Sequence, residues 1–352
     1  MEEPDAGAFA FTGDWRDYAP IAFTNLLLTI VTLGVYRFWA TTRTRRYLWS
    51  RTRFIDEPLE WTGTGMELFI GFLLVLALFG IPLLFLQFGM QALIFNGQAP
   101  LAFSLAFLAF AMIFYLSGVA RFRMLRYRLS RTWWHGIRGG SDENGWAYGW
   151  SYVWRYVVAA FSLYLLIPWA MMSLWNDRWS AMSFGPFPFR AKAGPGAVFK
   201  RFLLFYLLPL ALFVLLTIAG IGMREGETAL DPAAAAMVGF LFFFIYAGLG
   251  VIALVFYAKF FRVAVGGMSL SGLHFHFRAR SRDWLMLILG DIALVVLTLG
   301  IGAIFLSYRH WKFFITHLYA TGEISLSELT QSTTAAPRQG EGLADAFDIG
   351  AI

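Results

Sequence analysis

Two polar residues lie inside apolar stretches of the sequence, where their side chains are suited to bind a cation or relay a proton. Asp291 lies in one stretch and Asn25 in another. Each stands nine residues before a glycine, Gly300 and Gly34 respectively, so the two occupy matching positions in similar segments. A charge at the centre of a membrane helix costs on the order of 3 kcal/mol, which makes such a residue a functional candidate. We expect the pair to form a polar site near the middle of a membrane, as in transporters built from repeats.

A structural role for Asp291 is the alternative. Its carboxylate would then cap a broken helix or pair with an arginine such as Arg37 or Arg155, because polar groups inside membranes also hold helices together. Arg155 stands near the start of an apolar stretch, and its long side chain is able to anchor at the membrane interface. We include Arg155 with Asn25 and Asp291 as the candidate ligand-binding residues.

Stretches rich in arginine, tryptophan and tyrosine supply a second kind of candidate site. Four of their arginines are suited to hold anionic lipid headgroups: Arg45, Arg46, Arg126 and Arg128. Arginines that flank membrane segments also mark the cytoplasmic side without any ligand. The net charge of +6 comes from such clusters, and it favours anionic headgroups over nucleic acid as the partner.

The histidines offer little further chemistry. His274 and His276 alternate along an expected strand and so share one face, and His310 would be the third member of a metal site built on them. Because their spacing brings no cysteine or carboxylate nearby, we expect no metal and no cofactor. No GxSxG, HExxH or phosphate-loop pattern is present. The chain therefore carries no positive sign of an enzyme, and a lipid-modifying enzyme would have these histidines as its one candidate site.

The elements that must position these residues are membrane segments. The 352 residues are 59% hydrophobic and 14% charged, whereas soluble domains have about 25% charged residues. Cysteine is absent, which excludes disulfides, thiolate metal sites and cysteine nucleophiles. Stretches of roughly 20 apolar residues match the length that crosses a bilayer core of about 30 Å. There are seven, at residues 18–40, 66–86, 99–120, 151–174, 202–223, 236–258 and 284–308.

Simple alternation of seven crossings conflicts with the distribution of positive charge. If the fourth stretch crossed the membrane, the basic loops that follow it would lie outside, against the positive-inside rule. The conflict disappears if that stretch enters and leaves on one side. Short aromatic motifs typical of strands precede five stretches, at residues 9–11, 59–61, 133–134, 187–189 and 275–277. We expect them to form small cytoplasmic β-hairpins, between which the first, fourth and seventh stretches are broken and re-entrant; the alternative is seven plain crossings.

The three stretches expected to be broken share a design. An apolar run reaches Thr32-Leu-Gly34 and continues as an aromatic, arginine-rich segment, and residues 297–312 repeat this order. Residues 165–179 repeat it with Pro168 in place of the glycine. The string TLGVYRFWATTRTRRYLW, followed by FIDEPLEWTGTGMELF, resembles the YjgN-like family of bacterial inner-membrane proteins, a family without known function. The resemblance covers most of residues 9–329, and it implies a polytopic protein of the bacterial inner membrane without implying an activity, a cofactor or site residues.

The fold class that follows is an all-α polytopic membrane protein with short cytoplasmic β-hairpins. We expect one domain over residues 1–330, with internal repeats at about 9–120, 131–258 and 273–329, and a disordered tail over 331–352. The leading functional hypothesis is a transporter or channel for a small solute or ion. The second is a non-catalytic envelope protein that binds anionic lipid or a membrane partner, and the sequence carries no signal for an oligomeric state.

Overall fold

A computed structural model describes residues 8–221, 232–324 and 330–334. In these ranges the α-helices are α1 (Trp15–Val31), α2 (Arg37–Ser50), α3 (Gly65–Val75), α4 (Ile81–Phe95), α5 (Ala99–Arg131), α6 (Trp146–Phe161), α7 (Ile167–Ser180), α8 (Gly196–Phe202), α9 (Leu207–Ile221), α10 (Pro232–Gly266), α11 (Ser281–Leu297) and α12 (Leu306–His317). A π-helical turn, Leu76–Gly80, joins α3 to α4, and 3₁₀ turns, Leu203–Tyr206 and Ile301–Phe305, precede α9 and α12.

Short strands separate the helical units. They are β1 (Phe9–Phe11), β2 (Thr52–Phe54), β3 (Glu57–Pro58), β4 (Glu60–Trp61), β5 (Thr132–Trp134), β6 (Ile137–Gly140), β7 (Ser183–Phe184), β8 (Phe187–Ala191), β9 (Met268–Leu270), β10 (Leu273–Phe277) and β11 (Leu318–Thr321). Among the described residues, β4 to β11 pair in sequence order as one antiparallel sheet, and β1, β2 and β3 form a second sheet. The two sheets are separated along the chain by Leu59 alone.

The expectation of an all-α fold is therefore too narrow, because the strands join into a continuous layer. Trp61 pairs with Thr132, and Phe189 pairs with Leu270. These pairs connect hairpins that lie about 70 to 80 residues apart, so no local pattern indicates them. The strands nevertheless alternate as expected for a sheet with one covered face. Along β10 the aromatic residues Phe275 and Phe277 are buried, while the intervening histidine is exposed.

Each helical unit in the described part of the chain leaves the sheet and returns to it. The pair α1 and α2 connects β1 to β2, α6 and α7 connect β6 to β7, and α11 and α12 connect β10 to β11. Between them, α3 to α5 run from β4 to β5, and α8 to α10 run from β8 to β9. Of the described helices, three are long and apolar enough to cross a membrane: Ala99–Arg131, Gly196–Leu215 and Gly239–Gly266. Shorter apolar helices are Gly65–Gly80 and Leu86–Phe95. The described helices therefore support three membrane spans and not the seven expected from the sequence.

The first, fourth and seventh apolar stretches are each broken by the same kind of turn. Leu33, Leu163 and Leu299 have φ near +50°, and the residue after each also has positive φ. In the first turn, Gly34 N–H donates to Thr29 C=O at 2.7 Å and Leu33 N–H to Ile30 C=O at 3.1 Å. This is the Schellman pattern that ends helices, and the other two turns repeat both bonds.

The fourth stretch breaks four residues earlier than the proline pattern suggests. Tyr164, with φ of +65°, takes the place that Gly34 and Gly300 hold in the other turns. Pro168 lies in the first turn of α7 instead, where its missing N–H is tolerated. With this alignment, Arg155 stands nine residues before its turn residue, as Asn25 and Asp291 do.

Part of the expected tail packs on the sheet. Gln331 accepts a hydrogen bond from the Arg138 N–H and donates one to the Gly136 carbonyl. Arg138 also donates to the Thr334 carbonyl, and Ser332 and Thr334 are buried. Residues 331–334 thus differ from the expected disordered tail because their polar groups bond to Gly136 and to the backbone and side chain of Arg138. Residues 335–352 lie outside the described residues.

Candidate ligand cavity between the broken helices

A polar contact joins the two arms of each broken stretch. Asn25 of α1 donates from Nδ2 to the Ala40 carbonyl of α2 at 3.2 Å. Arg155 of α6 donates to the carboxylate of Asp177 of α7 at 2.6 Å. The residues at matching positions therefore fasten the arms of the first and fourth stretches to each other.

Asp291 does the same in the last stretch with two partners. Its Oδ1 lies 2.7 Å from Arg309 Nε, and its Oδ2 lies 2.7 Å from His310 Nε2. The Asp291 side chain is 15% exposed. Pairing with an arginine was the structural alternative for this residue, but the partner belongs to α12 and is neither Arg37 nor Arg155. Within the described residues, Asn25 and Asp291 share no hydrogen-bond partner.

A cavity of about 830 Å³ lies between the broken helices and the buried face of the strands. Its walls come from α1, α2 and α12, with further residues from α5, α7 and α10. Phenylalanines of the strands, among them Phe9, Phe54, Phe189 and Phe275, line the end next to the sheet. Ligand sites in proteins range over about 300–1,000 Å³ and combine apolar walls with a few polar groups. The size and lining are those of a site for a largely apolar molecule.

Of the three residues predicted to bind a ligand, Asn25 lines this cavity. It is 6% exposed, and besides Ala40 its Nδ2 reaches the hydroxyl of Thr44 at 3.4 Å. Its Oδ1 is buried and accepts no hydrogen bond from the described residues. Buried polar atoms are normally paired, so this oxygen is an unmet acceptor beside the cavity. Asp291 and Arg155 do not line the cavity. Each instead joins the two arms of its own hairpin.

The four arginines proposed for lipid headgroups divide into two groups. Arg45 and Arg128 line the cavity, and the Arg45 guanidinium carbon lies 5.0 Å from the centre of the Trp61 ring. Arg46 is exposed on the other face of α2. Arg126 is buried and donates to the Glu143 carbonyl at 3.0 Å. These arginines were expected to act together because they lie close in the sequence. Neighbouring residues of a helix point in different directions, so only some of them face the cavity.

Positive charge is crowded where α5 meets the sheet. Burial lowers the pKa of Arg138 in β6, and the charges of Arg131 and Arg126 lower it further. Arg131 is held by Glu67 of α3, at 2.9 Å between Nη2 and Oε1. The guanidinium groups crowded at this level create a positive potential at the end of α5 that meets the sheet.

The histidines do not meet in space. His276 bonds to the hydroxyl of Thr321 at 3.2 Å, while His310 pairs with Asp291. Among the residues that the structure describes, no three His, Asp or Glu side chains are grouped so as to hold a metal ion. His274 and His276 lie on the exposed face of β10, as the alternation along the strand predicts. His310 does not join them as a third metal ligand, because it pairs with Asp291.

Thr44, Asp177 and Arg309 are residues of this region that the sequence did not single out, whereas His310 was expected only as a metal ligand and pairs with Asp291 instead. A signal existed for one of them: Asp291 and Arg309 lie nine residues before and after Gly300, so a hairpin folded there brings opposite charges together. Arg155 and Asp177 do not repeat this symmetry, since they lie nine residues before and thirteen residues after Tyr164.

Long apolar helices that rise from a layer of strands and enclose a mainly apolar cavity are typical of an integral membrane protein. The family of bacterial proteins of unknown function DUF898 matches residues 6–346, and the chain belongs to this family. The chain is also similar to proteins named inner membrane protein YjgN, which confirms the resemblance found from the sequence.

The YjgN protein of Salmonella typhimurium is 30% identical over 160 residues, 45% of this chain and 38% of that protein. The protein of the same name from Escherichia coli strain K12 is 35% identical over 63 residues, 18% of this chain and 16% of the relative. The matched regions thus span well under two thirds of these relatives. No solved structure matches the chain.

Proposed function

We propose that this chain is an integral protein of the bacterial inner membrane that binds a lipid-like molecule in the cavity between its three broken helical hairpins. The observation that carries the proposal is the cavity itself: about 830 Å³, lined mainly by apolar and aromatic side chains, with a few basic and hydroxyl groups. A cavity of this chemistry suits an amphiphile drawn from the bilayer better than a hydrated solute. The printed names of the YjgN relatives support the location.

The broken hairpins are proposed to enter the membrane from the cytoplasmic side and return. The tips are strongly apolar: Leu33 is 94%, Leu163 76% and Leu299 93% exposed outside a bilayer. Helix α2 has 14 residues, so at 1.5 Å per residue it reaches roughly 21 Å from the sheet. That is shorter than a core of about 30 Å. Irregular backbone at such a depth is tolerated where protein shields it or a cavity adjoins it.

An internal repeat accounts for the similarity of the three hairpins. Their turns share leucines with φ of +50°, +51° and +50°. Each also has a hydroxyl that accepts the N–H four residues on, at 2.9 Å for Thr32, 3.1 Å for Ser162 and 2.6 Å for Thr298. Two copies would then comprise a broken hairpin and a long transmembrane hairpin, and the third copy ends after its broken hairpin.

Cysteine labelling tests the topology, because the chain has no cysteine of its own. Single cysteines at Asp142 and Gly194, exposed positions on either side of the fourth stretch, are labelled in intact spheroplasts with a membrane-impermeant maleimide. Asn96, exposed in the uncharged connection between α4 and α5, is the external control. The proposal expects both flanking sites to be protected and Asn96 to be labelled, and inside-out vesicles to reverse the pattern. Labelling of Gly194 but not Asp142 in spheroplasts contradicts it.

Filling the cavity tests the ligand. Ala303 lines it, so Ala303→Trp should reduce the number of lipid molecules that stay bound after purification in detergent, as counted by native mass spectrometry. Ala160→Trp adds the same volume at an exposed position of α6 and serves as the matched control. Equal lipid retention in both variants and the parent protein would contradict a lipid-filled cavity.

A small-solute or ion transporter is the second candidate, and Asn25 favours it, since its unpaired Oδ1 lies beside the cavity. Proton flux into proteoliposomes, followed with an enclosed pH-sensitive dye, tests this role. A transporter centred on Asn25 loses flux in Asn25→Ala at unchanged folded yield. Liposomes without protein set the background, and flux equal to that background in the parent protein removes this candidate for protons.

A further inference from the structure

We infer that lipid enters and leaves the cavity through a seam, the contact between the first broken hairpin (α1 and α2, with β1 and β2) and the last (α11 and α12, with β10 and β11). The inference rests on the proposed function and adds a route to it. Elsewhere around the strand layer, neighbouring helical units are connected by the chain and by paired strands, as at β5 and β6. Among the described residues the seam has neither connection. The wall of the cavity can therefore part there without breaking a strand ladder.

The strands at the seam are the two ends of the layer. β1 pairs with β2, and β11 pairs with β10. β1 and β11 approach each other, with Cα atoms within 8 Å, but no ladder joins them in the part of the chain that the structure describes. Phe9 of β1 and Phe275 of β10 lie 6.3 Å apart between ring centres. Side chains close the layer at this point.

The end of the seam next to the sheet is held by stacked rings and hydrogen bonds. Trp311 of α12 stacks on Trp49 of α2 with 4.0 Å between ring centres, and its indole N–H donates to the Thr52 hydroxyl at 2.8 Å. The Tyr308 hydroxyl donates to the Gly13 carbonyl at 2.9 Å. Contacts of this kind are individually weak, so a few of them can open locally while the rest of the protein stays folded.

The seam has fewer aromatic contacts towards the hairpin tips. Phe23 of α1 contacts Phe305 with 6.0 Å between ring centres. Residues 24–31 of α1 contain no aromatic side chain, so the aromatic contacts of this helix stop at Phe23. The cavity continues past this point, because Leu26 and Thr29 also line it. The contact between Phe23 and Phe305 is therefore the last aromatic barrier on this side of the cavity.

Helix α1 has a weak point below this barrier. Pro20 lies inside the helix and has no N–H to donate to the carbonyl of Arg16. Helices bend most readily at prolines. The part of α1 that carries Phe23 can thus move away from Phe305 while the base of the helix stays on the sheet.

Long apolar helices separate the broken hairpins at the other two positions. In the strand order, α5 stands between the first and second hairpins, and α10 stands between the second and the last. No such helix follows the last hairpin in the described part of the chain. Leu27 of α1 and Ile301 of the 3₁₀ turn are exposed apolar residues on the elements that flank the seam. The outer side of the seam thus offers apolar surface that hydrocarbon chains can contact.

The test locks the seam with a reversible crosslink, because the chain has no cysteine of its own. A short bis-methanethiosulfonate reagent joins the thiols of F23C/F305C, and the protein mass confirms the link. W154C/W169C is the matched control, since these rings lie 5.7 Å apart within one hairpin, on α6 and α7. Each protein is loaded with phosphatidylethanolamine and phosphatidylglycerol and is then diluted into micelles with an excess of the deuterated lipids. Native mass spectrometry follows the replacement of bound lipid over time.

We expect crosslinked F23C/F305C to exchange lipid about tenfold or more slowly than the parent, since the link prevents local opening. Reduction of the link should restore the parent rate, and crosslinked W154C/W169C should exchange at that rate throughout. Equal exchange by F23C/F305C before and after reduction shows another route and overturns the inference, while the retained lipid still supports the proposed function. A parent that retains no lipid at the start overturns both.

A single substitution tests the seam without a crosslink. Y308F keeps the ring but removes the hydroxyl bound to Gly13, and it should speed lipid exchange about two- to tenfold. Y206F removes a hydroxyl that donates to the Leu163 carbonyl in another unit and should leave the rate unchanged. If F23C/F305C does not fold or does not form the link, this comparison decides. Exchange by Y308F that is no faster than by Y206F contradicts the seam as the route.

Discussion

Arg155 and Asp177 face each other across the fourth stretch, with 2.6 Å between Nη1 and Oδ2. The two ends of the pair differ in their surroundings: the Arg155 side chain is 12% exposed and that of Asp177 is 43% exposed. Asn25 and Asp291 make the corresponding connection in the first and last stretches. The three hairpins are thus fastened at one level by three different chemistries: an amide to a carbonyl, a guanidinium to a carboxylate, and a carboxylate to a guanidinium and an imidazole.

The unequal exposure predicts unequal costs for the two single substitutions. Asp177→Asn leaves a mostly buried guanidinium without its carboxylate, and we expect it to cost about 2 kcal/mol. Arg155→Gln leaves a half-exposed carboxylate that water can solvate, so about 1 kcal/mol is expected. Thermal unfolding followed by tryptophan fluorescence measures both, since the chain has 14 tryptophans.

A double-mutant cycle with R155Q/D177N checks the cause. The double variant should recover part of the cost of Asp177→Asn, because no buried charge then lacks a partner. An Arg155→Gln variant that is less stable than Asp177→Asn would show that packing of the arginine stem, not the ion pair, dominates.

Asp291→Asn tests whether this carboxylate is structural or functional. The substitution weakens the contacts with both Arg309 and His310, and we expect a loss of about 1–3 kcal/mol. Lipid retention and flux per folded molecule should stay unchanged, because Asp291 does not line the cavity. Asp142→Asn, at an exposed loop position, is the control for loss of one negative charge. If the Asp291→Asn variant is as stable as the parent but loses lipid retention or flux, Asp291 has a functional role and not a structural one.

The break points of the helices could be predicted where the residues themselves favour the turn. Thr32, Leu33 and Gly34 combine a helix-ending hydroxyl with a glycine that adopts φ of +91° without strain. The turn at Leu163 and Tyr164 was misplaced because a tyrosine rarely adopts positive φ. Tertiary contacts override that preference here: the Tyr206 hydroxyl of the next helical unit donates to the Leu163 carbonyl.

The candidate site could be predicted only in part, for two physical reasons. A polar residue in an apolar stretch is visible in sequence, so Asn25 and Asp291 were found. Whether such a residue faces a cavity or its own hairpin depends on how the helix is rotated and on where the turn lies. The rotation of α2 is also the reason that Arg45 is buried while Arg46 is exposed. The strand layer was visible as single motifs such as Phe275 and Phe277, but the joining of distant hairpins is a long-range property.

Replacing the turn glycines by alanine should lower the stability of the protein through backbone conformation alone, without a steric clash. Gly34 and Gly300 have φ of +91° and +93°, and an added Cβ would meet nothing within 4 Å at either. Gly34→Ala and Gly300→Ala should therefore each cost about 1 kcal/mol through backbone strain alone. Gly250→Ala is the matched control, since its Cβ also meets open space and its helical backbone favours alanine by about 1 kcal/mol. Equal effects of the three substitutions on the unfolding temperature would contradict the turn geometry.

Asp56 predicts a small pH dependence at the strand layer. Its two carboxylate oxygens each lie 3.0 Å from His135 Nε2, and this hydrogen bond lowers the pKa of Asp56 below its ordinary value of 3.8. The carboxylate therefore adds stability that is fully present above pH 3.8 and is lost as the pH falls through the lower pKa of the folded state. Because the Asp56 side chain is 43% exposed, the contribution should stay below about 1 kcal/mol.

The difference in unfolding temperature between the parent and Asp56→Asn measures this contribution. Above pH 3.8 the parent should have the higher unfolding temperature. The difference should shrink towards zero as the pH falls below the lowered pKa of Asp56 in the folded state. Glu60→Gln, an exposed carboxylate of β4, controls for the general effect of removing a negative charge. A difference between the parent and Asp56→Asn that grows on acidification would reverse the sign and exclude the His135 contact as its source.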